Sequence, residues 1–201
     1  MEALDALLNR VSVPRLVEPA PNAAQREALF QAAARAPDHG QLRPWRLLTI
    51  EGAAREQLGV LLAGLATEPA LHEVIQVLAP CQHRLFDLGG ELAMPEYQAL
   101  NLTEIDRLEA AIDLWNEELG PLENFILPGG SALIAQAHVC RSLARSAERR
   151  CQQLNALEPL AGVGLAYINR LSDLLFVVAR VIARRQGVAE ILWQAAGKPG
   201  V

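Results

Sequence analysis

The chain has 201 residues, a formal net charge of -5 at pH 7, 51% apolar residues and 4% aromatic residues. This acidic balance argues against general nucleic-acid binding, and the length fits one domain with an appendage. The most apolar run, residues 174–183, is too short to span a bilayer and contains Arg180. The first residues lack the basic and apolar regions of a signal peptide, so we expect a cytoplasmic protein without a membrane anchor.

The cysteines and histidines give no sign of a metal site. Cys81, Cys140 and Cys151 form no close pair, so the sequence predicts neither a disulfide framework nor zinc ligation. The four histidines are scattered and none lies at ligand spacing from a cysteine or carboxylate cluster. We therefore expect no protein-bound metal.

The predicted elements fall into two groups along the chain. The first group comprises a short amphipathic helix at residues 2–9, a helix at about 23–35 and a strand at 46–51. The second group is a bundle of five helices and a last turn around Trp193. The five helices are predicted at residues 54–66, 70–94, 103–119, 131–157 and 162–186.

Local residues predict how these helices begin, end and pack. Pro80 is expected to kink or divide the 70–94 helix, and Pro95 to end it. Thr103 is the predicted N-cap of the 103–119 helix. That helix carries an apolar stripe at a period of 3.6, which we interpret as bundle core; the less simple alternative makes Trp115 a ligand platform. The stripe consists of Ile105, Leu108, Ile112 and Trp115.

Residues 124–149 combine a turn, a helix start and a row of arginines. Pro128 and two glycines interrupt regular structure, and Ser131 is a good N-cap for the helix that follows. Arg141, Arg145 and Arg149 recur at every fourth residue and therefore share one helix face. Such a face can bind an oligophosphate through charged bidentate hydrogen bonds, although spacing alone equally allows a solvated stripe of ion pairs.

Polar side chains also interrupt the strongly apolar helix at residues 167–180. Asn169, Arg170, Asp173 and Arg180 lie near one face of it. A buried carboxylate without a partner costs several kcal/mol, so Asp173 and Arg180 are expected to need partners. Either they pair with the arginine helix or they line a polar site between helices.

Several segments together resemble one enzyme family. They are Leu-Phe-Asp-Leu-Gly-Gly-Glu-Leu-Ala at 85–93, the turn at 125–131, Ala-Glu-Arg at 147–149 and the helix at 167–180. Over about residues 57–195 the chain resembles the ATP:corrinoid adenosyltransferases of the propanediol-utilisation type. The resemblance implies an all-α, up-and-down helical bundle that forms a homotrimer, with ATP and the corrinoid bound between neighbouring subunits.

The resemblance also implies a reaction and its residues. Cob(I)alamin attacks the 5′ carbon of ATP, triphosphate leaves, and Mg²⁺ accompanies the nucleotide. Because cob(I) is already a strong nucleophile, the protein mainly positions the reactants, neutralises the triphosphate and keeps the lower cobalt face free of a ligand. By resemblance the catalytic residues are Phe125, on the lower corrin face, and Arg141. The remaining implied residues are Arg145, Glu148 and Asn169 for ATP binding, and Arg170 and Asp173 as structural or inter-subunit polar groups.

The sequence departs from this family in two places. Ser146 stands where the family often carries another arginine. Upstream, the family's Thr-Lys and Gly-Asp-Gly-rich phosphate loop has no counterpart, and Gly52 and Arg55 stand where a helix-opening Asp and an Asn belong. Because that Asp pairs with an active-site arginine across the subunit boundary, Arg141 is expected to lack its usual carboxylate partner.

Residues 1–55 resemble the start of a small FMN-dependent nitroreductase. The similar segments are Leu-Asn-Arg-Val-Ser at 8–12, Glu-Pro-Ala-Pro at 18–21, Ala-Arg-Ala-Pro-Asp-His-Gly at 34–40 and Pro-Trp-Arg at 44–46. The resemblance implies vestigial FMN contacts at Arg10, Ser12, Arg35 and His39. The rest of that enzyme is missing, and roughly 50 residues bury too little surface to fold alone. We therefore expect a non-autonomous α/β fragment that binds no FMN, in which Arg35 and His39 are polar groups of a turn.

Three interpretations of the whole chain follow. The first is a fusion, with its junction near residues 55–58, of a truncated nitroreductase start (1–56) with an adenosyltransferase bundle (57–201) that catalyses adenosyl transfer. The second is a catalytically inactive bundle that still binds corrinoid or ATP. The third is a fragment of an FMN-dependent NAD(P)H nitroreductase.

Overall fold

The computed structural model describes residues 22–34, 53–94, 96–122 and 124–194. By its internal contacts the chain divides into two units, residues 1–48 and 49–201. The first unit contains helix α1, Ala23–Ala34. The second contains α2 (Ala53–Leu65), α3 (His72–Ala93), α4 (Leu102–Leu119), α5 (Ala132–Leu157) and α6 (Gly164–Arg185), with a 3-10 turn at Pro69–Leu71.

The described residues are helical, as predicted for an all-α protein, and an isolated antiparallel bridge joins Ile126 to Leu192. The predicted helix at 2–9 and strand at 46–51 lie outside the described residues, so the α/β character of the first part stays a prediction. The domain boundary predicted at residue 56 also stays a prediction, because a division by contacts does not establish the origin of either part. Among the described helices, none is both long and apolar enough to cross a bilayer.

The core of the second unit lies around α6. This helix packs most extensively against α5 and also against α4, while α2 packs against α5 and α3. Along its length α6 buries residues such as Leu174, Val178 and Ile182, because its apolar positions cover more than one face. The four residues of the predicted apolar stripe on α4 are all buried, which confirms them as core. Trp115 is part of this core, and its indole N–H donates to Glu73 Oε1 at 3.1 Å.

One prediction about helix boundaries is wrong, and another is decided only in part. Helix α3 continues through Pro80, so this proline does not divide the helix, while the predicted kink stays a prediction. The missing N–H of Pro80 leaves only the carbonyl of Gln76 without its usual intrahelical donor, and Gln76 is exposed, so water can replace that donor. Helix α4 begins at Leu102 after Asn101, so Thr103 lies inside the first turn and does not cap it. As predicted, α3 ends just before Pro95, at Ala93.

The segment at 85–93 holds the connection between α3 and α4. The buried carboxylate of Glu91 accepts hydrogen bonds from the backbone N–H groups of Ala99, at 2.7 Å, and Leu100, at 2.6 Å. These bonds fix the chain just before α4, which explains why the helix start does not depend on a side-chain cap. Helix α6 begins close to the same segment, since a Cβ at Gly164 would lie 2.5 Å from Leu88 Cδ1. A larger residue at position 164 would require the Leu88 side chain to move.

Candidate functional site

Glu148 connects the two helices that pack most extensively. Its carboxylate, on α5, accepts a hydrogen bond from Arg145 Nη1 of the same helix and another from Asn169 Nδ2 of α6 at 2.9 Å. Glu148 is only 8% exposed. Because a buried carboxylate is stable only when paired and hydrogen-bonded, this arrangement fixes Arg145 and Asn169 relative to each other. The structure thus brings together three of the predicted nucleotide-binding residues.

A cavity of about 610 Å³ lies between α4, α5 and α6. Its lining includes three arginines, Arg141 from α5 and Arg170 and Arg180 from α6. Asp173 and Phe176 of α6 line the same cavity. Three guanidinium groups and one carboxylate are among these side chains, so the positive charge that the lining offers to a ligand depends on which arginines have carboxylate partners.

Two of these arginines already have carboxylate partners. Arg170 Nη2 lies 3.0 Å from Glu109 Oε1, and its Nη1 lies 3.2 Å from Asp173 Oδ2. Arg180, nearly buried, donates through Nε to Glu190 Oε1 at 2.8 Å. Asp173 and Arg180 therefore line a cavity between helices, and neither pairs with the arginine helix.

The expectation that Asp173 is a buried carboxylate is wrong. Its side chain is 49% exposed, because the α6 face at this position borders the open cavity and not a neighbouring helix. Because Asp173 is exposed to water, it needs no buried partner. Its ion pair with Arg170 is solvent-exposed and contributes little to stability.

Arg141 has a different environment. Its guanidinium carbon lies 5.1 Å from the centroid of the Phe176 ring, which is a cation–π distance. Within the described parts of the chain, no carboxylate or hydrogen-bond acceptor engages its N–H groups. Of the arginines that line the cavity in the described structure, Arg141 is the one whose donors remain available to a ligand.

The three regularly spaced arginines of α5 do not form one functional stripe. Arg141 lines the cavity, Arg145 binds Glu148, and Arg149 donates from an exposed position to Ser146 Oγ at 2.9 Å. Their spacing predicted a shared helix face, but partners on α5 and α6 direct each guanidinium group differently.

His138 extends this cluster, and sequence reasoning missed it. It is 5% exposed, its ring lies 6.3 Å from that of Phe176 in a T-shaped arrangement, and its Nε2 has no hydrogen-bond partner. Burial, and secondarily the positive charge of Arg141, lower the pKa of His138. The imidazole is therefore neutral near pH 7. His138 lies three residues before Arg141, and this spacing alone does not indicate that both side chains contact one aromatic ring on another helix.

The second part of the site is the turn that carries Phe125. Trp193 N donates to Phe125 O at 2.7 Å, and Leu127 N donates to Ile191 O at 2.7 Å. Asn124 Nδ2 donates to Trp193 O at 3.0 Å. The predicted turn around Trp193 is therefore wrong, because this segment is extended and pairs with residues 124–127.

The Phe125 side chain points away from the core. It is 75% exposed, and its ring contacts Trp193 edge-on at 6.3 Å between centroids. The turn that follows packs tightly, since a Cβ at Gly130, where φ is +98°, would lie 2.8 Å from Val188 Cγ1. Ser131 then caps α5 as predicted, accepting from Ile134 N at 3.3 Å. The backbone of the turn is thus held in place while the aromatic ring stays open to a ligand.

The other predicted site residues lie outside the described residues. These are Arg10, Ser12, Arg35 and His39 of the FMN prediction, and Gly52, which stands where the family resemblance places a helix-opening Asp. In the parts of the chain that the structure describes, no three His, Cys, Asp or Glu side chains form a group that could hold a metal ion.

Comparison with known proteins identifies close relatives. A family model described as cobalamin adenosyltransferase matches residues 53–182. A cobalamin adenosyltransferase of Cupriavidus metallidurans is 46% identical over 140 residues, covering 69% of this chain and 76% of that protein. A corrinoid adenosyltransferase of Bacillus subtilis is 39% identical over 140 residues, covering 68% and 72%.

A solved structure shows the same fold. It is a variant of the PduO-type ATP:corrinoid adenosyltransferase from Lactobacillus reuteri, complexed with cobalamin and ATP. The TM-score is 0.61 at 28% sequence identity, and the match covers 71% of this chain and 85% of that one.

Proposed function

The chain belongs to the cobalamin adenosyltransferase family and is a corrinoid adenosyltransferase; from this premise we propose which of its residues carry the reaction. The electron pair of cob(I)alamin forms a bond to the 5′ carbon of ATP. The bond between that carbon and its phosphate oxygen breaks, and triphosphate leaves with the bonding pair. The residues described above supply the two requirements of this step, which are a place for the triphosphate and a surface for the corrin ring.

Arg141 is proposed to bind the triphosphate. The observation that carries this assignment is that, in the described structure, it is the cavity arginine whose N–H donors have no anionic partner. Charged bidentate hydrogen bonds to phosphate oxygens neutralise the charge that develops on the leaving group. Arg170 and Arg180 are less suited to this role, because their donors already bind the carboxylates of Glu109, Asp173 and Glu190, which neutralise their charge.

Arg145, Glu148 and Asn169 are proposed to hold the nucleotide beside Arg141. Arg145 is 42% exposed, so its free N–H groups remain accessible while Nη1 binds Glu148. Asn169 uses one amide N–H for Glu148 and presents the rest of its amide group to the ligand. We further propose that Mg²⁺ accompanies ATP and that the site is completed in a homotrimer, where the partly exposed Arg170 and Asp173 face the neighbouring subunit.

Phe125 is proposed to cover the lower face of the corrin. An exposed aromatic ring on a backbone-fixed turn gains free energy when a flat apolar ligand covers it. In that position the ring excludes water or a nitrogen ligand from the lower face of cobalt. Excluding such a ligand favours the four-coordinate state from which cob(I) forms.

A second candidate is a bundle that binds corrinoid and ATP without catalysing transfer. It is favoured by Gly52, which cannot supply the carboxylate that the family resemblance places there, and by the expectation that the family's phosphate loop has no counterpart in this sequence. Nothing in the described residues favours the third interpretation, the flavin-dependent fragment. A yellow purified protein with bound FMN would be the observation that revives it.

The deciding experiment is an anaerobic assay with ATP and chemically reduced cob(I)alamin, followed by the spectral change to adenosylcobalamin. We expect conversion above the uncatalysed background in the wild type. Arg141→Ala should lose most of it, while the matched control Arg149→Ala, which removes an exposed arginine of the same helix, should retain it. No conversion by a folded protein that binds both substrates would establish the inactive bundle instead.

A further inference from the structure

We propose that Phe176 is a positioning residue for Arg141, with its ring holding the guanidinium group in the cavity in place of a carboxylate. The inference rests on the proposed role of Arg141 in triphosphate binding. It assigns a function to a residue of α6 that no part of the reaction scheme above uses. Phe176 is not proposed to touch the reacting atoms.

The geometry separates Arg141 from the other arginines of the site. Its guanidinium carbon lies 5.1 Å from the Phe176 ring centroid, inside the range of about 6 Å for cation–π attraction. Arg145, Arg170 and Arg180 are each held by a carboxylate. In the described structure, Arg141 is oriented by an aromatic ring alone.

An aromatic partner suits a phosphate-binding arginine better than a carboxylate does. A carboxylate occupies up to two of the five N–H donors and cancels the charge, whereas a ring occupies none of them and stays neutral. Arg141 therefore keeps its full charge and all in-plane donors for the triphosphate. Because the ring restricts where the side chain can go, less conformational freedom is lost when ATP binds.

The Phe176 ring is itself held in place. It is partly buried, and its edge-on neighbour His138 projects from α5 one turn before Arg141. Since His138 is buried and neutral, it adds no second positive charge against the ring. The Phe176 ring thus contacts two side chains of α5. His138 packs against its edge, and Arg141 is the cation that the ring orients.

The test replaces Phe176 by phenylalanines that carry one, two and three fluorine atoms on the ring. Fluorination removes the negative potential of the ring face stepwise while changing its size little, so packing is preserved. Dissociation constants for ATP are measured by calorimetry on the full chain, with helical content checked by circular dichroism. We expect the dissociation constant to rise with each fluorine, by about three- to tenfold over the series. A flat series would overturn the inference.

Two controls separate the inference from the proposed function. In an Arg141→Ala background the fluorine series should be flat, and a series as steep as in the wild type would mean that the ring acts on the ligand directly. If Arg141→Ala binds ATP as tightly as the wild type, the role of Arg141 fails, and the inference fails with it. If Arg141→Ala binds weakly but the wild-type fluorine series is flat, only the inference fails. Phe176→Leu should weaken ATP binding and Phe176→Trp should restore it.

Discussion

The proposed site has two halves, which different kinds of contact hold in position. The nucleotide half comprises Arg141, Arg145, Glu148 and Asn169, and the corrinoid half is the turn that carries Phe125. In the nucleotide half, side chains of α5 and α6 position one another through Glu148, which is buried, and through the Phe176 ring. In the corrinoid half, backbone hydrogen bonds between residues 124–127 and 191–193 hold the chain, while the Phe125 ring remains exposed. The difference matches what each half must do.

Phosphate recognition requires charges at defined distances, because a hydrogen bond weakens steeply outside its narrow geometry. A buried network between rigid helices provides that precision. Covering a corrin ring requires an apolar surface in contact with the ring, and this contact depends little on direction. Holding the backbone of the Phe125 turn in place is therefore sufficient. The comparison predicts that mutations in one half should leave the other largely unaffected.

The largest expected effect concerns the stability of the nucleotide half. Glu148→Ala leaves Asn169 and Arg145 without their shared acceptor and opens a gap between α5 and α6. We expect the free energy of unfolding to fall by about 2–3 kcal/mol, measured by urea denaturation. Glu109→Ala is the matched control, because it removes a carboxylate from an exposed pair with Arg170 and should cost below about 1 kcal/mol. An equal loss of unfolding free energy in both variants would show that Glu148 stabilises the fold no more than an exposed ion pair does.

Arg141→Ala should weaken ATP binding by about 30-fold, which corresponds to about 2 kcal/mol for a charged bidentate contact. Stability should change little, since the described structure shows no ion pair to Arg141. Calorimetric titration with ATP measures this, with Arg149→Ala as the control. Unchanged ATP affinity in Arg141→Ala would contradict the assignment of the nucleotide half.

Phe125→Ala tests the corrinoid half. It should leave the dissociation constant for ATP unchanged and slow cobalt alkylation by roughly tenfold, because about 1.4 kcal/mol of apolar contact with the ring is lost. The measurement compares ATP affinity with the rate of adenosylcobalamin formation in one preparation. If both fall together, Phe125 is structural and the two halves are not independent.

Trp193→Ala should have a smaller effect of the same kind. An edge-to-face aromatic pair contributes about 1 kcal/mol, so alkylation should slow by about fivefold while the backbone bonds to residues 125–127 persist. Trp193→Phe preserves an aromatic neighbour and should restore the rate. A rate in Trp193→Ala equal to that of the wild type would show that the backbone alone positions Phe125.

The smallest expected effect is a pH dependence confined to the nucleotide half. Because the folded protein lowers the pKa of His138 below its ordinary value, the unfolded chain binds a proton at higher pH than the folded chain does. Stability is therefore full above about pH 6.5 and falls as the pH decreases towards the lowered pKa. Denaturation between about pH 7 and 5 should show a smaller decline in His138→Leu than in the wild type. Phe125→Ala should keep the wild-type pH dependence.

Much of the fold could be predicted from the sequence, because it depends on local patterns. The helix predicted at 131–157 is observed at Ala132–Leu157, with Ser131 as its N-cap, since cap and apolar period are both local signals. The helix predicted at 54–66 is likewise observed at Ala53–Leu65. The start of α4 was misplaced because Glu91 fixes the preceding residues from another helix.

The candidate site could be predicted only in part. The spacing on α5 identified the arginines, but their different partners depend on how α6 packs. Asn124, next to Phe125, pairs with Trp193, which lies 69 residues further along the chain. No local sequence pattern indicates this pairing. Periodicity shows which face of α6 Asp173 occupies, but it does not show whether another helix covers that face.

The ion pair between Arg180 and Glu190 bears on where the functional protein ends. Cutting the chain after Arg185 would spare all five helices of the second unit, and a helicity measurement would report an intact bundle. The shortened protein would nevertheless lose the partner segment of Phe125, and the guanidinium of Arg180 would become an uncompensated charge in the cavity wall. The nine residues after the last helix, 186–194, therefore belong to the proposed catalytic unit, and a domain border drawn at the end of α6 would divide that unit.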